Sequence, residues 1–154
     1  MIQISGLLEL AKKNYKATGI ILAALITFIL VVINPATEEN PLWYGVVMFK
    51  DVELAIGIFF GVYFALKFRD PDESPLKFGI KMGFIIGVLD TILPGLYMWL
   101  LQVIFVINII GLLTILGFLL ITAITMGLII GALLGWYYMS KEGVGKQEER
   151  YGED

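Results

Sequence analysis

The chain has 154 residues, of which 58% are hydrophobic and 16% charged, with a formal net charge of -3 and neither cysteine nor histidine. A mean hydropathy of +0.86 is more apolar surface than a soluble domain of this size can hide, so the composition is that of a membrane protein. Without cysteine there is no disulfide or thiolate site, and without histidine the commonest general base and transition-metal ligand are gone; no basic surface points to nucleic acid.

Residues 1–16 read as an amphipathic interfacial segment. Ile4, Leu7, Leu8, Ala11 and Tyr15 share one helix face, and Lys12, Lys13 and Lys16 lie where lipid phosphates would be. The apolar run that follows is too long for a signal-peptide core and no A-x-A-like cleavage site follows it, so it is read as a retained span, 17–33. Asn34-Pro35 ends it, because proline disfavours helix in the residue before it. A polar, acidic loop covers 34–42.

Asn40-Pro41 is a cap followed by proline, starting a helix that runs to about Phe68. Its length, about 42 Å, exceeds the hydrocarbon core, so the membrane-crossing part is set at 46–68, with Trp43 and Tyr44 at headgroup level. Ser74-Pro75 repeats the cap-and-proline signal. The helix it starts is expected to carry the third span, 77–105, through Tyr97, Trp99 and Gln102. A weak break at Asn108 and Gly111 precedes the fourth span, 112–139, which closes on Trp136, Tyr137 and Tyr138. Residues 140–154 read as a charged, flexible tail.

The fold class expected is therefore an all-α integral membrane protein: a four-transmembrane-helix bundle packed through glycine stripes, with both termini cytoplasmic in the cell membrane. Ten of the eleven lysines and arginines fall on the side that holds the N-terminus, the 68–76 loop and the tail; Lys50 alone falls opposite. A rival five-span count needs an uncharged turn at Gly117-Phe118 and weakens that asymmetry.

Lipid is as apolar as leucine, so close backbone approach, which small residues four apart permit, drives the association of spans. The stripes are Gly19, Ala23, Thr27; Gly57, Gly61, Ala65; Gly79, Gly83, Gly87, Thr91; and Ala123, Gly127, Gly131, Gly135. They are expected to meet within the chain, in a homo-oligomer, or against a larger membrane partner. A local likeness between 57–62 and 127–132 suggests a duplicated hairpin, but glycine, isoleucine and leucine are so common here that chance explains it better.

The candidate site is built around Asp90. Nine residues beyond Lys81 it lies about 13–14 Å deeper, near the bilayer midplane, where a charged carboxylate costs at least about 2.5–3.5 kcal/mol. It must protonate, pair or line a wet cavity. Asp90 shares a face with Gly83 and Gly87 and should point inward. Pro94, read as a kink, has no N–H for the Asp90 carbonyl. Glu53 shares a face with Gly57 and Gly61, one or two turns outward of Asp90; Lys50 and Asp51 lie near it. These four residues, Asp90, Glu53, Lys50 and Asp51, form either an outward-open ion or proton site or a neutralised Lys50–Glu53 pair above a structural Asp90.

Catalytic patterns are missing. No serine lies in a span, G-x-S-x-G and H-E-x-x-H do not occur, and Asp51 is at the wrong depth to face Asp90 as a second catalytic aspartate. The expectation is a non-enzyme without cofactor. It is either a proton- or cation-dependent transport or channel unit, or an assembly protein docking through its glycines, with the lipid bilayer as partner; a lipid-handling membrane enzyme is a third, weaker reading.

Overall fold

The computed structural model describes residues 4–33, 42–92, 96 and 109–151, with side chains at 6, 8–33, 52–92, 96, 113 and 116–143. All regular structure among them is helical: α1 (Ile4–Lys13), α2 (Tyr15–Ile33), α3 (Leu42–Lys67), α4 (Pro75–Asp90) and α5 (Ile109–Tyr151). Two helical stretches, Tyr15–Ile33 and Leu116–Gly143, are long and apolar enough to cross a membrane.

α1 is separated from α2 by a break at Asn14, bridged by the Thr18 hydroxyl donating to the Ala11 carbonyl (3.1 Å). α4 starts at Pro75, whose missing N–H costs nothing in a first helical turn. Ser74 occupies the cap position but its side chain makes no capping bond, against the sequence expectation.

The third helix was expected to continue through Gln102 with a kink at Pro94; its regular part ends at Asp90, Thr91 is a turn, and Ile92 and Leu96 are again helical. Pro94, four residues on, cannot donate to the Asp90 carbonyl, so the ladder has no next rung. Pro94 itself, with Tyr97, Trp99 and Gln102, lies outside the described residues. The fourth helix was expected to stop at 139; it continues to Tyr151 and passes Gly117 without interruption, so the turn required by a five-span chain does not occur there. The aromatic run marks where apolar sequence stops, not where helix stops, and the lysine, glutamate, glutamine and arginine that follow are good helix formers.

α2 and α3 are antiparallel neighbours, as are α4 and α5. A side chain added at Gly61 would stand 2.5 Å from the Gly19 carbonyl oxygen. Along the second pair, Gly79 lies against Gly131, Gly83 against Gly127 and Gly87 against Ala123, each backbone on backbone. Around this contact, Leu54, Ile58, Leu66, Met82 and Ile86 fill the centre.

The outside is the opposite of a soluble protein's. On α2, Gly19, Ala23, Thr27 and Val31 are buried, while Ile21, Leu25 and Ile29 are 58%, 51% and 52% exposed. Phe59, Phe60, Phe84, Ile121 and Leu133 are likewise exposed. Large apolar side chains therefore cover the outside as well as the centre, an arrangement water would penalise.

At one end of the bundle, charged groups tie three segments together. Arg69 of the 68–74 loop makes two 2.6 Å bonds to the carboxylate of Glu142 on α5. Lys16 on α2 meets Glu73 at 2.9 Å. The start of α2, the end of α3, the start of α4 and the Glu142 region of α5 therefore share one end. Glu142→Gln should cost about 1 kcal/mol or less, as partly exposed pairs do. The check is a small drop in thermal midpoint in detergent that shrinks at high salt.

Candidate functional site

α2, α3 and α4 meet at a polar point. Asp90, the last residue of α4, is 1% exposed. Its Oδ2 accepts a hydrogen bond from the Thr27 hydroxyl of α2 at 2.7 Å. The same hydroxyl is 3.5 Å from the backbone carbonyl of Glu53 on α3. It has one hydrogen for two acceptors, so at any moment it serves one of them, and the shorter contact is to Asp90. If Asp90 carries a proton, its own O–H can donate to Thr27, and the threonine hydrogen is released toward Glu53.

Gly57 makes this meeting possible. A Cβ there would collide with the Thr27 hydroxyl, lie 2.9 Å from the Ala23 carbonyl oxygen and 3.1 Å from Asp90 Oδ2. The glycine is therefore level with the carboxylate and acts as the floor of the site. Glu53, one turn along α3 from Gly57, is 5% exposed, so its side chain is buried within the chain. The side chains of Lys50 and Asp51 lie outside the described residues, although both belong to α3.

The other carboxylate oxygen, Asp90 Oδ1, is buried and has no hydrogen-bond partner among the described residues. Next in the chain, the buried Thr91 hydroxyl donates to the Val88 carbonyl at 2.8 Å, serving one of the last carbonyls of α4. The Asp90 carbonyl, whose usual donor would be residue 94, receives none from that proline. Carboxylate, hydroxyl and carbonyl oxygens thus gather at the partly negative C-terminal end of a helix.

A groove of about 420 Å³ runs between α3 and α5 past Val52, Phe59, Phe60 and Met126, and its lining includes neither Asp90 nor Glu53. Among the described residues no three His, Cys, Asp or Glu side chains gather as a metal cluster.

Thr27 was legible in the sequence only as a small residue in the α2 stripe. The signal that could have found it is that it is the one hydroxyl in that stripe, and an intramembrane hydroxyl seeks a partner across helices. Thr27→Val should destabilise the chain by about 0.6–1.7 kcal/mol, the range for interhelical membrane hydrogen bonds. Thr27→Ser should behave as wild type, and equilibrium unfolding in mixed micelles distinguishes the two.

No protein-family model matches this chain, and neither curated proteins nor solved structures give a significant match.

Proposed function

We propose that the chain is a small four-span membrane protein, both termini cytoplasmic, whose Asp90 takes up a proton or a monovalent cation as part of a transport or channel unit. The observation that carries this reading is the buried Asp90 carboxylate at the broken end of α4, tied to Thr27 through one oxygen. Helices interrupted within the membrane leave carbonyls and a negative dipole end where transporters hold Na⁺ or H⁺, and an intramembrane carboxylate is functional by default. The available oxygens are one or two carboxylates, a hydroxyl and carbonyls, a hard and sparsely charged set that suits a proton or a monovalent ion.

The four-span count draws on the antiparallel pairing of α2 with α3 and α4 with α5, on the exposed apolar belt, and on the lysines and arginines collected at one end. α4 alone, about 24 Å of helix, is shorter than the hydrocarbon core, so the crossing needs the residues beyond Asp90 as well. Reconstitution into proteoliposomes tests the reading: a flux driven by a proton or cation gradient should be present in wild type and lost in Asp90→Asn.

A second reading has its own observation. The Thr27–Asp90 bond fastens α2 to α4, and a purely structural protein would use it to fix helix register. Under that reading wild-type vesicles carry no flux and the glycines matter to assembly. The glycines described above already face other helices of the same chain, so a partner would dock on the large apolar outer residues instead.

A further inference from the structure

At the charged end of the bundle, four basic groups have different fates. Lys16 is matched by Glu73 and Arg69 by Glu142. Lys12 and Lys67 are not: among the described residues neither meets a carboxylate. Both instead reach the same aromatic ring. Lys12 Nζ is 5.5 Å from the centroid of Phe68, and Lys67 Nζ is 5.8 Å from it. Two exposed ammonium groups from different helices, one on α1 and one on the last residue of α3, thus lie within about 6 Å of one ring centroid with no carboxylate on either among the described residues. An anion reached by both would offset their repulsion.

The position of α1 says which anion. Among the described residues the helix packs on α2 and, through Lys12, on Phe68 just past α3. It leaves Leu8 and Leu10 51% and 60% exposed beside Lys12 and Lys13. A short helix with apolar and lysine-rich faces, set at the end of an apolar bundle, belongs at the headgroup boundary. There the abundant anion is a lipid phosphate, and each lysine near an anionic surface contributes to holding it.

We propose that Lys12 and Lys67, gathered over Phe68, bind the headgroup of an anionic phospholipid in the leaflet on which α1 lies. The site rests on the membrane reading above but not on any role for Asp90. Phe68 orients the two cations, and the exposed leucines of α1 seat beside the acyl chains.

The test uses the full chain reconstituted in vesicles of mixed phosphatidylcholine and phosphatidylglycerol, then counts the lipids retained per chain by native mass spectrometry. Wild type should retain phosphatidylglycerol in preference. Lys12→Gln with Lys67→Gln should lower that preference about tenfold, whereas Lys77→Gln with Lys81→Gln, exposed lysines of α4, should change it less than about twofold. An equal loss from both pairs would mean diffuse attraction and would overturn the site, as would displacement of the lipid by inorganic phosphate at millimolar concentration. A chain that alkaline carbonate strips from the vesicles overturns the membrane reading and this site together. One that stays inserted without lipid preference overturns the site alone.

Discussion

Gly83→Leu should separate α4 from α5 and leave a chain that no longer holds its bundle in mild detergent. Even the first carbon of a side chain at this position would collide with the Gly127 carbonyl oxygen, stand 2.8 Å from the Gly127 carbonyl carbon and 3.2 Å from the Gly131 Cα. All three obstacles are backbone, so none can rotate away. Gly83→Ala alone should cost about 1–3 kcal/mol by overpacking, and leucine more. Gly117 supplies the control. Its Cβ would meet nothing within 4 Å, so Gly117→Ala should be neutral or stabilise by up to about 1 kcal/mol through helix propensity. Both are read from the denaturant midpoint in mixed micelles. Equal behaviour of Gly83→Ala and Gly117→Ala would contradict the close approach of α4 and α5.

Asp90→Asn should keep the chain folded and reduce a proton- or cation-coupled flux at least tenfold. The asparagine carbonyl oxygen can still accept from Thr27, so the tie between α2 and α4 survives. What disappears is the ability to change charge. Asp90→Leu separates the two readings further. It removes the acceptor and leaves the Thr27 hydroxyl with only the 3.5 Å Glu53 carbonyl, so it should lose stability comparable to Thr27→Val as well as flux. If Asp90→Asn keeps full flux, or the wild type has none, Asp90 is a register-setting residue and the second reading holds.

The all-helical class, with apolar stretches long enough to cross a membrane, was readable from composition and spacing. Gly57, Gly61 and Ala65, or Gly79, Gly83 and Gly87, recur every fourth residue because a helix returns to nearly the same face at that interval, and such faces are where helices can approach. Asp90 stood out because a carboxylate in apolar sequence needs a reason to be there. Three things were not readable. The partner of Asp90 on α2 was hidden because Thr27 looks like packing when only residue size is considered. The continuation of α5 past Met139 was hidden because hydropathy reports the membrane boundary, whereas helix propensity reports the helix. The convergence of Lys12 and Lys67 on Phe68 depends on how α1 meets the end of α3, a tertiary relation that no local pattern encodes.

A transport role requires that Asp90 exchange its occupant with the surroundings. Isotope-edited infrared spectroscopy of the aspartate carboxyl groups, on the full chain in lipid with Asp90→Asn as the subtraction reference, reads this directly. The expected result is an Asp90 band that converts between protonated and ionised forms, or shifts on adding Na⁺ or K⁺, as bulk pH is taken from about 4 to about 10, with the Thr27→Val variant shifting its frequency. A band that stays unchanged across that range and with every monovalent cation would contradict the account and leave Asp90 as a sealed structural bond to Thr27.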